Sequence, residues 1–330
     1  MTMTNQNSAQ SVSIPATGTS GWQILKYQFL QIWQVLAALA LIYAVFFVLS
    51  PPFRSVDTLF SIFSQASILA VLACGTTVVL ISGGLDLSVG SIFAVVGVVV
   101  GILLKEYNLG YPLAILGGLA VGTMLGALNG LIQVLTKVPA FIVTLGGLTA
   151  YKGLAELLGS GKDLSRFPEG FQALGSGYMA PMAIMFGAAV LTGLFLTKTR
   201  LGNHAFAVGG NEEVARLSGV NVARSRVYYY MIGGMFAAAA AILEVSKLNF
   251  AQSSRGQSYE LFAIAAVVIG GTSLFGGRGG VGKTIIGMLI MQTIIVGLAY
   301  LGVGTSFQRI AIGAIIILAV YWDVWRRPAR

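Results

Sequence analysis

The chain has 330 residues, of which 56% are hydrophobic and only 9% charged, and its mean hydropathy is +0.84. Soluble globules carry about a quarter charged residues, so this composition excludes a water-soluble domain and requires an apolar solvent. The net charge of +9 is scattered between apolar runs and forms no dense basic patch, which argues against nucleic acid as a partner. One cysteine, Cys74, excludes an internal disulfide, and one histidine, His204, argues against a His-built metal or catalytic centre.

Residues 1–30 open with a polar, uncharged stretch and are expected to form a disordered cytoplasmic tail. The apolar run that follows reaches the length of a membrane span with no basic segment ahead of it, so it reads as a first helix and not as a cleaved signal. A bilayer crossing needs roughly 20 apolar residues. Candidate stretches are 32–50, 59–82, 88–104, 112–135, 139–158, 178–197, 227–247, 260–275, 284–302 and 307–322, the third and eighth being short. The expected fold is all-α: a polytopic membrane helical bundle of about ten transmembrane helices over residues 31–325, with a C-terminal tail at 326–330. An even number of crossings puts both termini on one face. Of the 20 basic residues, twelve fall on that face and eight on the other, so the N and C termini are expected in the cytoplasm.

The stretch ISGGLDLSVGS (81–91) joins the second and third spans. An acid at membrane depth is a functional candidate, yet Asp86 or Ser88 equally suits the cap of the following helix, with Gly83 and Gly84 ending the preceding one. In the fourth span Gly118, Gly122, Gly126 and Gly130 recur every four residues, a smooth face that lets another helix approach closely. Lys152 and Glu156 stand four apart and are placed to pair. With Asn129 and Thr144, Asp86 and Ser88 make a candidate pathway or gate of weak polarity, suited to a neutral hydroxylated solute.

The loop 198–226 contains a complete small helix signature. Asn211 is a cap, Glu212 and Glu213 suit the first turn, Arg216 the last, and Gly219 the left-handed stop. Val214 and Leu217 give this helix of about two turns an apolar edge, and so short a helix must be held by something. A groove on a cytoplasmic partner and the membrane surface are both candidates. A glycine-rich pattern recurs as GGLDLSVG (83–90) and GGTSLFGG (270–277), but glycine, at 43 residues, is too common for the match to carry weight. Residues 277–284, GRGGVGKT, fit a phosphate-binding loop. A working loop of that kind follows a β-strand, whereas here the flanking segments read as membrane helices.

Four blocks carry a resemblance: LISGGLDLSVGS (80–91), VPAFIVTLGGLTAYKGLAELL (138–158), TRLGNHAFAVGGNEEVARLSGVNV (199–222) and YELFAIAAVVIGGTSLFGGRGG (259–280). They resemble the permease subunits of bacterial ATP-binding-cassette importers for monosaccharides, the ribose, xylose, arabinose and galactoside group. The resemblance implies a multi-pass protein of the inner membrane with no cofactor and no covalent chemistry of its own. It implies a second permease subunit, cytoplasmic ATPase subunits and a periplasmic sugar-binding protein docking on loops 159–177 and 248–259. The ATPases would grip Gly210, Asn211, Glu212, Glu213, Ala215, Arg216, Leu217 and Gly219. Lys283, where the family usually has Gly, creates the apparent nucleotide motif. Phe262, Gly147 and Lys152 stand where the family usually has Asp, Thr and Arg. A stand-alone secondary transporter is the rival expectation.

Overall fold

A computed structural model of the chain describes residues 21–160, 162 and 164–325. The polar tail 1–20 and residues 326–330 lie outside it. The first helix, α1, covers Gly21–Leu49, starting inside the segment expected as tail. After a 3-10 turn at Pro51–Arg54 come α2 (Val56–Ile81), α3 (Val89–Lys105), α4 (Tyr111–Thr136), α5 (Ala140–Gly159) and the single turn α6 (Glu169–Gln172). Then follow α7 (Met179–Lys198), α8 (Arg200–Gly210), α9 (Glu212–Leu217) and α10 (Val222–Leu248). The chain ends with α11 (Tyr259–Ile269), α12 (Val281–Tyr300) and α13 (Thr305–Trp325).

Seven of these helices are long and apolar enough to cross a bilayer: α1 through Ile32–Leu49, α2, α4, α5, α7, α10 and α12. The third and eighth expected spans are α3 and α11, apolar but only 17 and 11 residues long. At 1.5 Å per residue, α11 covers about 17 Å of a core roughly 30 Å thick. It stops well before the expected residue 275 because Gly271 turns left-handed (φ +85°), with the Thr272 N–H closing on the Val267 carbonyl.

Burial divides the spans sharply. In α2, α10 and α12 most residues are buried, and over the most apolar 18 residues the buried share is 89% in α2, against 6% in α1 and 17% in α5. The inner helix α2 is rich in small and hydroxylated residues whose polar groups return to their own backbone, as Thr76 does to the Leu72 carbonyl (3.2 Å) and Thr77 to that of Ala73 (2.7 Å). The most extensive packing is between α10 and α4. It runs along Gly118, Gly122, Gly126 and Gly130, all buried. A methyl group on Gly122 would lie 2.6 Å from both Ala238 Cβ and the Gly234 carbonyl oxygen, and one on Gly126 would collide with the Tyr230 carbonyl. Lipid supplies no hydrophobic drive for helices to associate, so this close backbone approach is what holds the two together. Lys152 and Glu156 form no ion pair. Lys152 is half-buried and Glu156 exposed.

Candidate functional site

The segment 198–226 folds as two helices, not the single short one expected. Ahead of α9 the chain makes α8, an 11-residue helix capped by Thr199, whose Oγ accepts from the Gly202 N–H at 3.0 Å. Asn211 ends α8 and caps α9, its Oδ1 accepting from the Val214 N–H at 3.0 Å. Gly219 takes the left-handed conformation (φ +87°), and the Val220 N–H returns to the Ala215 carbonyl at 3.1 Å. Asn221 then caps α10. Two ion pairs follow: Glu213 with Arg216 inside α9 at 2.5 Å, and Glu212 with Arg226 of α10 at 2.7 Å. The Arg216 guanidinium, through its hydrogen bonds, holds the Glu213 carboxyl below its usual range.

Inside this hairpin Ala215 is buried with Val208, Val222 and Val220 in a small cluster of its own. Ala215 therefore faces inward, toward α8 and the start of α10. Gly210, Asn211, Glu212, Glu213, Arg216, Leu217 and Gly219 are all exposed. The apolar side chains Val214 and Leu217 stand 56% and 73% exposed. A helix six residues long that buries one alanine inward and presents two aliphatic side chains outward has the form of a docking element.

The four polar residues singled out in the spans come together at the start of α3. Asp86 is 1% exposed, and its Oδ1 accepts from the Ser88 N–H (2.8 Å) and the Ser88 hydroxyl (2.6 Å). Asp86, not Ser88, thus supplies the turn that starts the helix, since Ser88 makes no capping bond of its own. Asn129 on α4 donates to Ser88 Oγ at 2.7 Å. The Leu85 carbonyl accepts from Thr144 on α5 at 3.2 Å. Two residues that sequence reasoning passed over complete the cluster. Tyr151 donates to Asn129 Oδ1 at 2.9 Å, and Tyr230 on α10 donates to the Leu85 carbonyl at 3.1 Å. Tyr151 was findable: Thr144, Gly147 and Tyr151 recur at i, i+3 and i+7 and share one helix face. Tyr230 lay inside a run of three tyrosines whose pattern marks no face.

Asp86 Oδ2 is buried and has no hydrogen-bond partner. Gly147 borders the cluster closely: a Cβ there would lie 3.0 Å from Asn129 Oδ1 and 3.3 Å from Ser88 Cβ. The hydroxyl, amide and carboxylate groups of this cluster bond to one another, and Asp86 Oδ2 is the buried acceptor left over.

The glycine-rich segment 277–284 does not form a phosphate loop. The element before it is the helix α11, and its own groups are already engaged. The Gly277 N–H donates to the Ile81 carbonyl at 2.8 Å and the Gly280 N–H to Thr272 Oγ at 3.3 Å. Thr284, the residue that would meet a magnesium ion, is buried and shares a 2.8 Å hydrogen bond with Thr77 of α2.

An all-helical bundle with several membrane-length helices, an exposed short helix α9 and a buried polar cluster at the start of α3 has the architecture of a multi-pass membrane protein. Residues 58–320 match the family described as the permease component of the branched-chain amino acid transport system, and the chain belongs to that family. It is 38% identical over 297 residues to the ribose import permease protein of Escherichia coli (strain K12), covering 87% of this chain and 92% of that one. It is 38% identical over 282 residues to the ribose import permease protein of Bacillus subtilis (strain 168), covering 84% and 87%. It is 36% identical over 295 residues to the galactose/methyl galactoside import permease protein of Haemophilus influenzae, covering 83% and 88%. No solved structure matches. The chain is a multi-pass protein of the bacterial inner membrane.

Proposed function

We propose that this chain is the membrane-spanning permease subunit of an ATP-binding-cassette importer for a monosaccharide, a ribose-like pentose or a related sugar. The observation that carries the reading is the near end-to-end similarity to permeases whose names give ribose and galactosides as cargo. In this reading residues 31–325 make about ten crossings with both termini in the cytoplasm, and two permease subunits pair. The α8–α9 hairpin docks the ATPase, with Val214 and Leu217 as its apolar contacts. Asp86, Ser88, Asn129 and Thr144 belong to the pathway or its gate. A periplasmic sugar-binding protein docks on loops 159–177 and 248–259 and delivers the sugar.

Purification through this chain from native membranes in mild detergent tests the assignment. An ATPase subunit is expected to remain attached, and Leu217→Glu is expected to release it while the chain stays in the membrane. Retention of the ATPase by that variant would remove α9 as the dock. Uptake of radiolabelled D-ribose by vesicles holding the chain alone, driven by an ion gradient, would replace the reading with a secondary transporter.

A further inference from the structure

Three glycine-rich turns from distant parts of the sequence meet at one point beside the Asp86 loop. They are Gly83 after α2, Gly209 in the last turn of α8, and Gly276 with Gly277 in the turn between α11 and α12. The contact is backbone on backbone. The Gly277 N–H donates to the Ile81 carbonyl at 2.8 Å. A methyl group on Gly209 would collide with the Ile81 carbonyl oxygen and lie 2.6 Å from the Gly277 nitrogen and 3.0 Å from that of Gly83. One on Gly276 would lie 2.7 Å from the Gly209 carbonyl oxygen and 2.8 Å from Gly83 Cα. Gly83, Gly276 and Gly277 all take left-handed conformations, at φ +79°, +87° and +72°.

What joins this junction to the rest of the molecule is short on both sides. Two residues beyond Gly209, Asn211 caps α9, the exposed helix. Three residues beyond Gly83, Asp86 opens the hydrogen-bonded chain through Ser88 and Asn129 to Tyr151. Side chains at an interface absorb small displacements by changing rotamer, whereas backbone atoms in contact have no rotamer to change. A shift of α9 is therefore passed to the turn at 82–85 with little loss.

We propose that Gly209 is a positioning residue of the transport cycle, handing movement of α9 directly to the loop that holds Asp86. The proposal rests on α9 being the ATPase dock. A helical glycine outside the docking hairpin supplies the control: a methyl group on Gly282, in the first turn of α12, would meet nothing within 4 Å. Gly209→Ala and Gly282→Ala both replace a helical glycine by alanine, and only the first reaches the junction.

The test uses the complex purified through the chain carrying Cys74→Ala and Leu87→Cys, with the thiol label read on this chain's own band after denaturing electrophoresis, so that it reports on the half-buried position 87 alone. N-ethylmaleimide labelling is compared without nucleotide and with ATP plus orthovanadate. The labelling rate is expected to change with nucleotide in this background and in Gly282→Ala. In Gly209→Ala the nucleotide response is expected to be lost while the ATPase remains attached. An equal response in the two alanine variants, loss in both, or no response in the background would overturn the proposal. Should Gly209→Ala fail to accumulate, Gly83→Ala decides: its methyl meets Gly209 Cα at 3.4 Å, and at φ +79° alanine strains the turn on the other side of the junction. A response unchanged there would also overturn the proposal. Release of the ATPase by Leu217→Glu is scored separately, so failure of the docking assignment is told apart from failure of the junction.

Discussion

Two buried carboxyl groups lie against α10, and they are built in opposite ways. Glu244, on α10 itself, is 3% exposed and has both oxygens occupied, one by Arg255 at 2.5 Å and the other by the Tyr259 hydroxyl at 2.9 Å. Asp86 meets α10 beside Gly233, about 16 Å along the helix from Glu244 by its rise per residue. Its Oδ1 takes two bonds from Ser88, and its Oδ2 takes none. A buried polar atom left unpaired is unfavourable and rare in native structures. The satisfied group ties the 249–258 loop to the bundle and has nothing left to offer. The unsatisfied one leaves a bonding position open.

Breaking the satisfied group has the larger effect on stability. Arg255→Leu leaves Glu244 buried with only a tyrosine for company, and is expected to cost about 2 kcal/mol. That is below the range for a fully buried pair, because Arg255 is itself 40% exposed and admits water. Thermal unfolding of the purified chain in detergent near neutral pH measures it, and an unchanged midpoint would mean the pair contributes nothing. Next comes Tyr259→Phe, which removes the second partner of Glu244 for about 1 kcal/mol. Because the two partners share one carboxylate, the double variant should depart from additivity; strict additivity would show that Glu244 does not couple them.

The contrast also marks what the sequence discloses. Hydropathy located the long helices to within a few residues, apart from the start of α1 at Gly21, inside the expected tail, and the glycine interval of four marked the face of α4 that meets α10. The local signals around Asn211, Glu213, Arg216 and Gly219 produced α9 with its cap, pair and stop. Hydropathy could not rank the spans by burial, because lipid and protein interior are equally apolar: α1 and α2 are both strongly hydrophobic, yet one is almost wholly exposed and the other buried. The helix α8 went unseen because RLGNHAFAVGG carries three glycines, whose low propensity is outweighed by packing of Ala205 and Val208. The recurrence of GGLDLSVG and GGTSLFGG looked like chance, yet both turns meet at Gly209. That meeting is a product of tertiary contact across well over a hundred residues of sequence, which no local pattern encodes.

The smallest expected effect on stability is the most informative about Asp86. Asp86→Asn keeps an oxygen to accept the Ser88 N–H and hydroxyl, so the turn that starts α3 survives, and unfolding should shift by no more than about 0.5 kcal/mol. Asp86→Ala removes that acceptor and is expected to destabilise by about 1 kcal/mol, as for a lost helix cap. Uptake of radiolabelled D-ribose by cells expressing each variant with its partners should separate the two roles the sequence left open. If Asp86 only caps α3, uptake follows stability, and the asparagine variant transports normally. If the open oxygen is used when the bundle changes state, both variants lose uptake alike, although one is folded as well as the parent. The second pattern is the expected one, since a cap alone needs only Oδ1 and gives no reason to bury a second oxygen without a partner.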